Sequence, residues 1–224
     1  MKQATIVVPV WNQRRDWLDE AIASALGQTV PVEVIVVDDG SDVPVEVPSP
    51  VRLVRMPWNQ GIAAALNAGI AEMTTEWFCW LSSDDLLRAE KVEKQIPLGL
   101  ASFHRYDKIG DNAHGFDVSP ACPWADIEEQ RRYLKQGCWI NGSTVMLHRS
   151  VFDRVGKFDP QYRIAQDWEM WRRVGEHYLW AWHPDVLGTR RETYENLTMR
   201  TQANGPARRA RDAELQRVRE RTYA

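Results

Sequence analysis

Near-unbroken apolar runs alternate, through the first hundred residues, with stretches whose apolar positions recur every three or four residues. The run Ala4–Val10 predicts a strand, and Arg14–Leu26, with Leu18, Ile22, Ala25 and Leu26 on one face, predicts an amphipathic helix. Val32–Val37 and Val51–Met56 predict two more strands, Gly61–Glu72 a helix and Trp77–Leu81 a fourth strand. Strands that lack polar alternation are buried on both faces, so this order predicts an α/β fold with a mostly parallel central sheet flanked by helices. The proline-rich stretch Val43–Pro50 suits neither a central strand nor a helix and reads as an extended connection.

The pattern loosens from Gly99 to Gly137, with one strand near Ala101–Tyr106 and one polar helix near Ala125–Lys135. A strand over Gly142–Leu147, helices over Ser150–Val155 and Gln166–Val174, and a strand near Tyr178–Trp182 follow. From Pro206 the tail carries six arginines and three acids and reads as a solvated helix lying on the domain, with a membrane-surface or self-association role as the alternative. The expected organisation is one domain over residues 1–205, with halves 1–98 and 99–205, followed by the tail 206–224.

Composition narrows the class. A chain of 224 residues suits one domain with a full core. A net charge of −3 lacks the basic footprint of a nucleic-acid binder. Cys79, Cys122 and Cys138 share no metal-ligand spacing, and their odd number suits a reducing compartment. The N-terminus shows no basic start followed by an apolar stretch, and no apolar run reaches the roughly 20 residues that span a bilayer, so a cytoplasmic location is expected. Of the eleven tryptophans, most flank apolar runs and read as packing residues, while Trp11 and Trp168 are candidates to line a sugar-binding cleft.

Four aspartates at two strand ends carry the chemistry. Asp38-Asp39-Gly40-Ser41 closes the second strand and Ser83-Asp84-Asp85 the fourth. Ligands of parallel sheets bind in the crevice beyond the carboxyl ends of the strands. Carboxylates crowded there repel one another unless a cation or ligand hydroxyls engage them. Oxygen ligands select Mg²⁺ or Mn²⁺, and an incomplete protein shell leaves places for substrate phosphates. Pro9-Val10-Trp11-Asn12 after the first strand is not a glycine-rich phosphate loop, which excludes a dinucleotide fingerprint and a P-loop. Asn59-Gln60-Gly61 opens the next helix, where the glycine allows close approach, and Asn67 is polar on a small-residue face. Asp167 starts a helix, where an acid also suits the helix dipole.

Together these motifs resemble the inverting glycosyltransferases of family 2, with the GT-A fold. The match runs from Thr5 to about Thr198 through Val8-Pro9-Val10-Trp11-Asn12, Val36–Ser41, Asn59-Gln60-Gly61 with Asn67, Ser83-Asp84-Asp85, Gly142-Ser143, Val155–Asp159 and Gln166-Asp167 with Trp171. The segment Tyr162–Val174 is similar to the spore-coat polysaccharide member. The resemblance implies transfer from a nucleoside-diphosphate sugar, UDP- or dTDP-based, to an acceptor hydroxyl on a saccharide or glycoconjugate. It implies that Asp39, Pro9, Val10, Asn12, Asn59, Gly61 and Asn67 line the nucleotide pocket. It further implies that Asp84 faces the ribose and Asp85 the metal, in an order that could be exchanged, and that Asp167 is the catalytic base. Three departures stand out: Ser82 where the family often has a further acid, Leu66 before Asn67, and Arg190-Arg191 without the family's following histidine. Arg190 or Arg191 could hold a diphosphate, and His183 is the candidate late metal ligand. Asn196-Leu197-Thr198 also fits a glycosylation acceptor, without meaning absent a secretion signal. Acceptor choice is expected in the stretch Asp107–Cys138. A catalytically silent nucleotide-sugar-binding scaffold is the alternative, and a sugar-1-phosphate nucleotidyltransferase a third reading.

Overall fold

Strand β1 (Ala4–Val10) is the hub of the fold, pairing in parallel with β2 (Val32–Asp38) on one side and β4 (Trp77–Trp80) on the other. The computed structural model describes residues 1–110, 121–193 and 205–223. Helices α1 (Arg15–Leu26) and α2 (Ile62–Glu72) make the crossovers, with β3 (Arg52–Arg55) added parallel to β2. The remaining elements are β5 (Leu86–Leu87), α3 (Lys91–Gln95), β6 (Ala101–Ile109), α4 (Ile127–Gln136), β7 (Met146–His148), α5 (Arg149–Val155), α6 (Gln166–Gly175), β8 (Ala181–Arg191) and α7 (Gly205–Glu220). Among the described residues eight strands form one sheet in the order β3-β2-β1-β4-β7-β6-β8-β5. The sheet is mostly parallel, and β7 pairs antiparallel with both β4 and β6, as β5 does with β8.

Alternate side chains of each strand reach opposite faces. Val7, Ile35 and Val37 pack with Ala65, Leu66 and Ile70 of α2, while Ile6, Val8, Val34 and Val36 pack with Leu18 and Ile22 of α1. Helix α2 approaches the sheet closely at Gly69, where a Cβ would fall 2.3 Å from a Val7 methyl. The tryptophans largely build the core as expected: the Trp171 ring lies 5.3 Å from Trp180, 5.7 Å from Phe158 and 6.3 Å from Trp80, in edge-on or tilted pairs favoured by aromatic rings.

Three local differences from the sequence pattern have physical causes. The segment expected as a strand from Gly142 begins instead with a turn of 3₁₀ helix over Gly142–Thr144, because the Asn141 side chain accepts the Ser143 N–H at 2.9 Å. Gly142 also lies flat on Trp80, where a Cβ would sit 2.5 Å from the ring. The last strand starts at Ala181 and runs to Arg191, well past the expected end at Trp182. Its ladder with β6 jumps from His183 to Val186, so Pro184, which has no N–H to give, bulges with Asp185 out of the pairing. The tail forms the expected helix α7, and one side of it is buried: Val218 has no exposed surface and packs with Tyr162, Ala165 and Trp168.

Candidate functional site

The loops after β1 and β2 are tied to each other. Asn12 takes a left-handed φ of 47°, its N–H donates to Ser41 Oγ at 3.0 Å, and its amide exchanges two 2.9 Å bonds with Asp42. Val10 points into the core, and its carbonyl accepts the Asp39 N–H at 2.8 Å. Asp38 is fully buried; burial alone would raise its pKa, but bonds from Ser41 and Val45 and the Arg55 guanidinium outweigh that and hold it below the usual range. Asp38 is therefore a structural anion that shapes the turn.

Asp39, 3% exposed, reaches the other way. Its two oxygens accept the N–H groups of Gln60 and Gly61, both at 2.8 Å. Burial raises its pKa despite these bonds. Gly61 has a φ of 95°, which an L side chain adopts only with strain, and a Cβ there would meet the Arg163 guanidinium at 2.9 Å. That guanidinium donates to Asn59 Oδ1 at 3.3 Å and to the Gln60 carbonyl. Asp39, Asn59 and Gly61 thus belong to one loop cluster at the strand ends, while Pro9 lies within β1, opposite Val37 of β2. Asn67 does not join them. Its amide bonds the Phe158 carbonyl at 2.8 Å and the Phe158 N–H at 3.0 Å, clamping α2 to the loop after α5.

Asp84 and Asp85 follow β4. Asp84 is partly exposed and Asp85 is 4% exposed. Asp85 accepts the Ser143 hydroxyl at 2.6 Å and the Arg191 N–H at 2.9 Å. Burial, and then the Asp84 charge, push its pKa upward against these bonds. Arg191 braces the pair from behind, giving its Nε to the Asp84 carbonyl at 3.0 Å, pairing with Glu20 and lying 5.0 Å over the Trp17 ring. Ser143 and the end of β8 are what position the acid pair.

Asp167 stands in the first turn of α6. Its Oδ1 accepts the Trp168 N–H at 2.7 Å, and its Oδ2 faces Cys138 Sγ at 3.7 Å. Burial raises its pKa to about 6, against the pull of the Trp168 amide, the thiol and Arg190. Arg190 also lowers the pKa of Asp85, so one guanidinium lies within electrostatic reach of both acids. Beside Asp85, Tyr106, Asn141 and Arg190 line a shallow depression, which adjoins a cavity of about 40 Å³ bordered by Phe103, His104, Trp139 and Trp182. That volume admits a few waters rather than a sugar ring.

Two expected residues lie elsewhere. His183 is eight residues from Arg191 along β8, on the far side of the Pro184 bulge, and accepts the Asp185 N–H at 3.1 Å. A strand rises about 3.3 Å per residue, which places His183 well away from Asp85. Trp168 is 2% exposed, and its indole N–H donates to the Leu134 carbonyl at 2.6 Å, so it is core and not a cleft wall; Trp11 is 52% exposed at the end of β1. Among the described residues no three acids, histidines or cysteines converge as a complete metal cage. Cys138, for which the sequence shows no metal-ligand spacing, proves to be a neighbour of Asp167. Part of the Asp107–Cys138 stretch and all of Asn196–Thr198 lie outside the described residues.

No helix among the described residues is long and apolar enough to cross a membrane. Residues 5–156 match the pattern of glycosyl transferase family 2. An uncharacterised glycosyltransferase of Rickettsia typhi is 30% identical over 199 residues, covering 76% of this chain and 60% of that protein. The succinoglycan biosynthesis protein ExoO of Rhizobium meliloti is 39% identical over 99 residues, covering 41% of this chain and 28% of that protein. The chain therefore spans less than two thirds of the length of these relatives. Among solved structures, S. aureus TarS 1-349 in complex with UDP-GlcNAc has a TM-score of 0.72 at 16% identity, covering 95% of this chain and 66% of that TarS 1-349 chain. That likeness shows a shared GT-A fold. The extent of the sequence match settles the family: the chain belongs to glycosyl transferase family 2.

Proposed function

We propose that the chain transfers a sugar from a nucleoside-diphosphate sugar to an acceptor hydroxyl, with inversion at the anomeric carbon. The observation that carries this reading is the acid pair at the end of β4, where buried Asp85 is held by the Ser143 hydroxyl at 2.6 Å and the Arg191 N–H at 2.9 Å, with Asp167 in the first turn of α6 as the candidate base. The donor would lie along the strand ends, with its base near Asp39 and its diphosphate between Asp84-Asp85 and Arg190. That TarS, on the same fold, has been crystallised with UDP-GlcNAc supports a uridine donor here.

The residues fit a divalent cation held jointly with the donor. Two adjacent carboxylates offer hard oxygen donors, and the upward push that Asp84 gives Asp85 is the repulsion a cation relieves. Each Asp85 oxygen keeps a lone pair beyond its bonds to Ser143 and Arg191. Asp84 and Asp85 would hold Mg²⁺ or Mn²⁺, which when bound neutralises charge building on the leaving diphosphate. Asp167, a base with a pKa of about 6, is ionised at neutral pH. It would accept the acceptor hydroxyl's proton as that oxygen attacks the anomeric carbon, and the glycosidic bond to the diphosphate breaks on the opposite side. Arg190 would balance the anionic site from the β8 side.

The test is donor hydrolysis and transfer across UDP- and dTDP-sugars with and without Mn²⁺. One donor turned over with Mn²⁺ and spared on chelation is the expected result. Donor binding without turnover towards any saccharide acceptor would instead favour a binding scaffold, and pyrophosphate release from a nucleoside triphosphate would show a nucleotidyltransferase.

A further inference from the structure

Three consecutive N–H groups lead into α6, those of Arg163, Ile164 and of Ala165 at the helix N-cap. All three are bonded by one carboxylate from the far end of the chain. Glu214 of α7 accepts Arg163 N–H at 3.1 Å through Oε1, and Ile164 and Ala165 N–H at 2.8 and 3.1 Å through Oε2. Asp167 follows two residues after Ala165. We infer that Glu214 is a positioning residue for Asp167, making the C-terminal helix part of the site's framework; this rests on the reading of Asp167 as the base.

Packing alone does not call for an acid here. Glu214 is 7% exposed, and burying a carboxylate costs free energy unless hydrogen bonds satisfy it. Three converging N–H groups form the kind of concave nest that takes an anion. Helix α7 cannot drift from it, because Val218 is fully buried, Arg172 donates to the Val218 and Arg221 carbonyls, and Arg221 pairs with Asp159 and Glu169, each at 3.2 Å. The same segment continues forward to the nucleotide side. Arg163, whose N–H Glu214 holds, bonds Asn59 and Gln60, and Gln60 N–H bonds Asp39. A continuous run of hydrogen bonds therefore links Glu214 to Asp39 and fixes where α6 begins.

The experiment uses the full chain and three variants: Glu214→Gln, Glu214→Asp and Gly69→Ala. Glutamine keeps the shape but offers one acceptor oxygen and an NH₂ group that faces donors. Displacement of about 1 Å at a reacting group costs around 10²-fold in rate. Expected is a fall in kcat of that order for Glu214→Gln at unchanged donor KM, with Glu214→Asp intermediate. Gly69→Ala, which crowds Val7 and leaves Glu214 and the amides it holds in place, is expected to lower Tm while retaining kcat well below its melting point. Amide exchange at 163–169 gives a second readout, accelerated in Glu214→Gln and not in Gly69→Ala. Wild-type kcat in Glu214→Gln, or equal losses of kcat in Glu214→Gln and Gly69→Ala at matched Tm, would overturn the inference. If Asp167→Asn keeps its turnover, the underlying function fails; if Asp167→Asn is dead and Glu214→Gln is fully active, only the positioning role fails.

Discussion

The Cys138 sulfur stands 3.7 Å from Oδ2 of Asp167, across 29 residues of sequence. Cys138 is exposed as a residue, but the protein around its sulfur and the Asp167 charge raise the thiol pKa, and Sγ donates to Asp167 and to the Ile140 carbonyl. Asp167 is thus faced by the thiol, by the Trp168 N–H and by Arg190, all favouring its ionised form, while burial favours the neutral one. Burial wins, and the pKa settles at about 6.

A base must be ionised to work, so kcat should rise as pH passes about 6 and level off above it. Cys138→Ala removes a group that lowers the Asp167 pKa, so the acidic limb should move to higher pH with the plateau largely kept. A pH series of kcat for the two proteins checks both the position and the sign.

Asp85→Asn should abolish the dependence of donor affinity on Mn²⁺ while preserving the Ser143 and Arg191 contacts better than alanine would. Titration of UDP with and without Mn²⁺ reads this directly. Unchanged metal enhancement in the variant would remove Asp85 from the metal's shell.

Asn67→Ala should lower stability by about 1–3 kcal/mol, since two buried main-chain groups of Phe158 lose their partner. Donor KM should stay as in the wild type. A rise in KM without loss of stability would restore Asn67 to the nucleotide pocket.

Gly69→Ala should cost about 1–3 kcal/mol by overpacking against Val7. Val7→Ala makes room for the added methyl, so the double variant should lose less than the two singles combined, measured by urea unfolding.

Strands β1, β2 and β4 were legible because burial on both sheet faces removes polar alternation, leaving runs such as Val34–Val37 that have one reading. The β5 strand, two residues long, is too short to show any period. The end of β8 was hidden because Thr189-Arg190-Arg191 is polar and Pro184 breaks the pattern ahead of it. At the site, Asp84-Asp85 announced themselves by standing at the end of an apolar strand. Cys138, Ser143, Arg163 and Glu214 gave no such signal, because each acts on a partner far away in sequence: Ser143 lies 58 residues from Asp85, and Glu214 lies 49 to 51 residues from the amides it holds. Asn67 and His183 show the converse. A polar residue on an apolar face is as readily satisfied by a nearby main chain as by a ligand.

Asp167→Asn gives the most direct test of the central claim, with UDP-sugar binding and transfer measured on the same preparation in Mn²⁺. The account predicts wild-type donor affinity with turnover reduced by about 10²–10⁴. Turnover near the wild-type rate would contradict it.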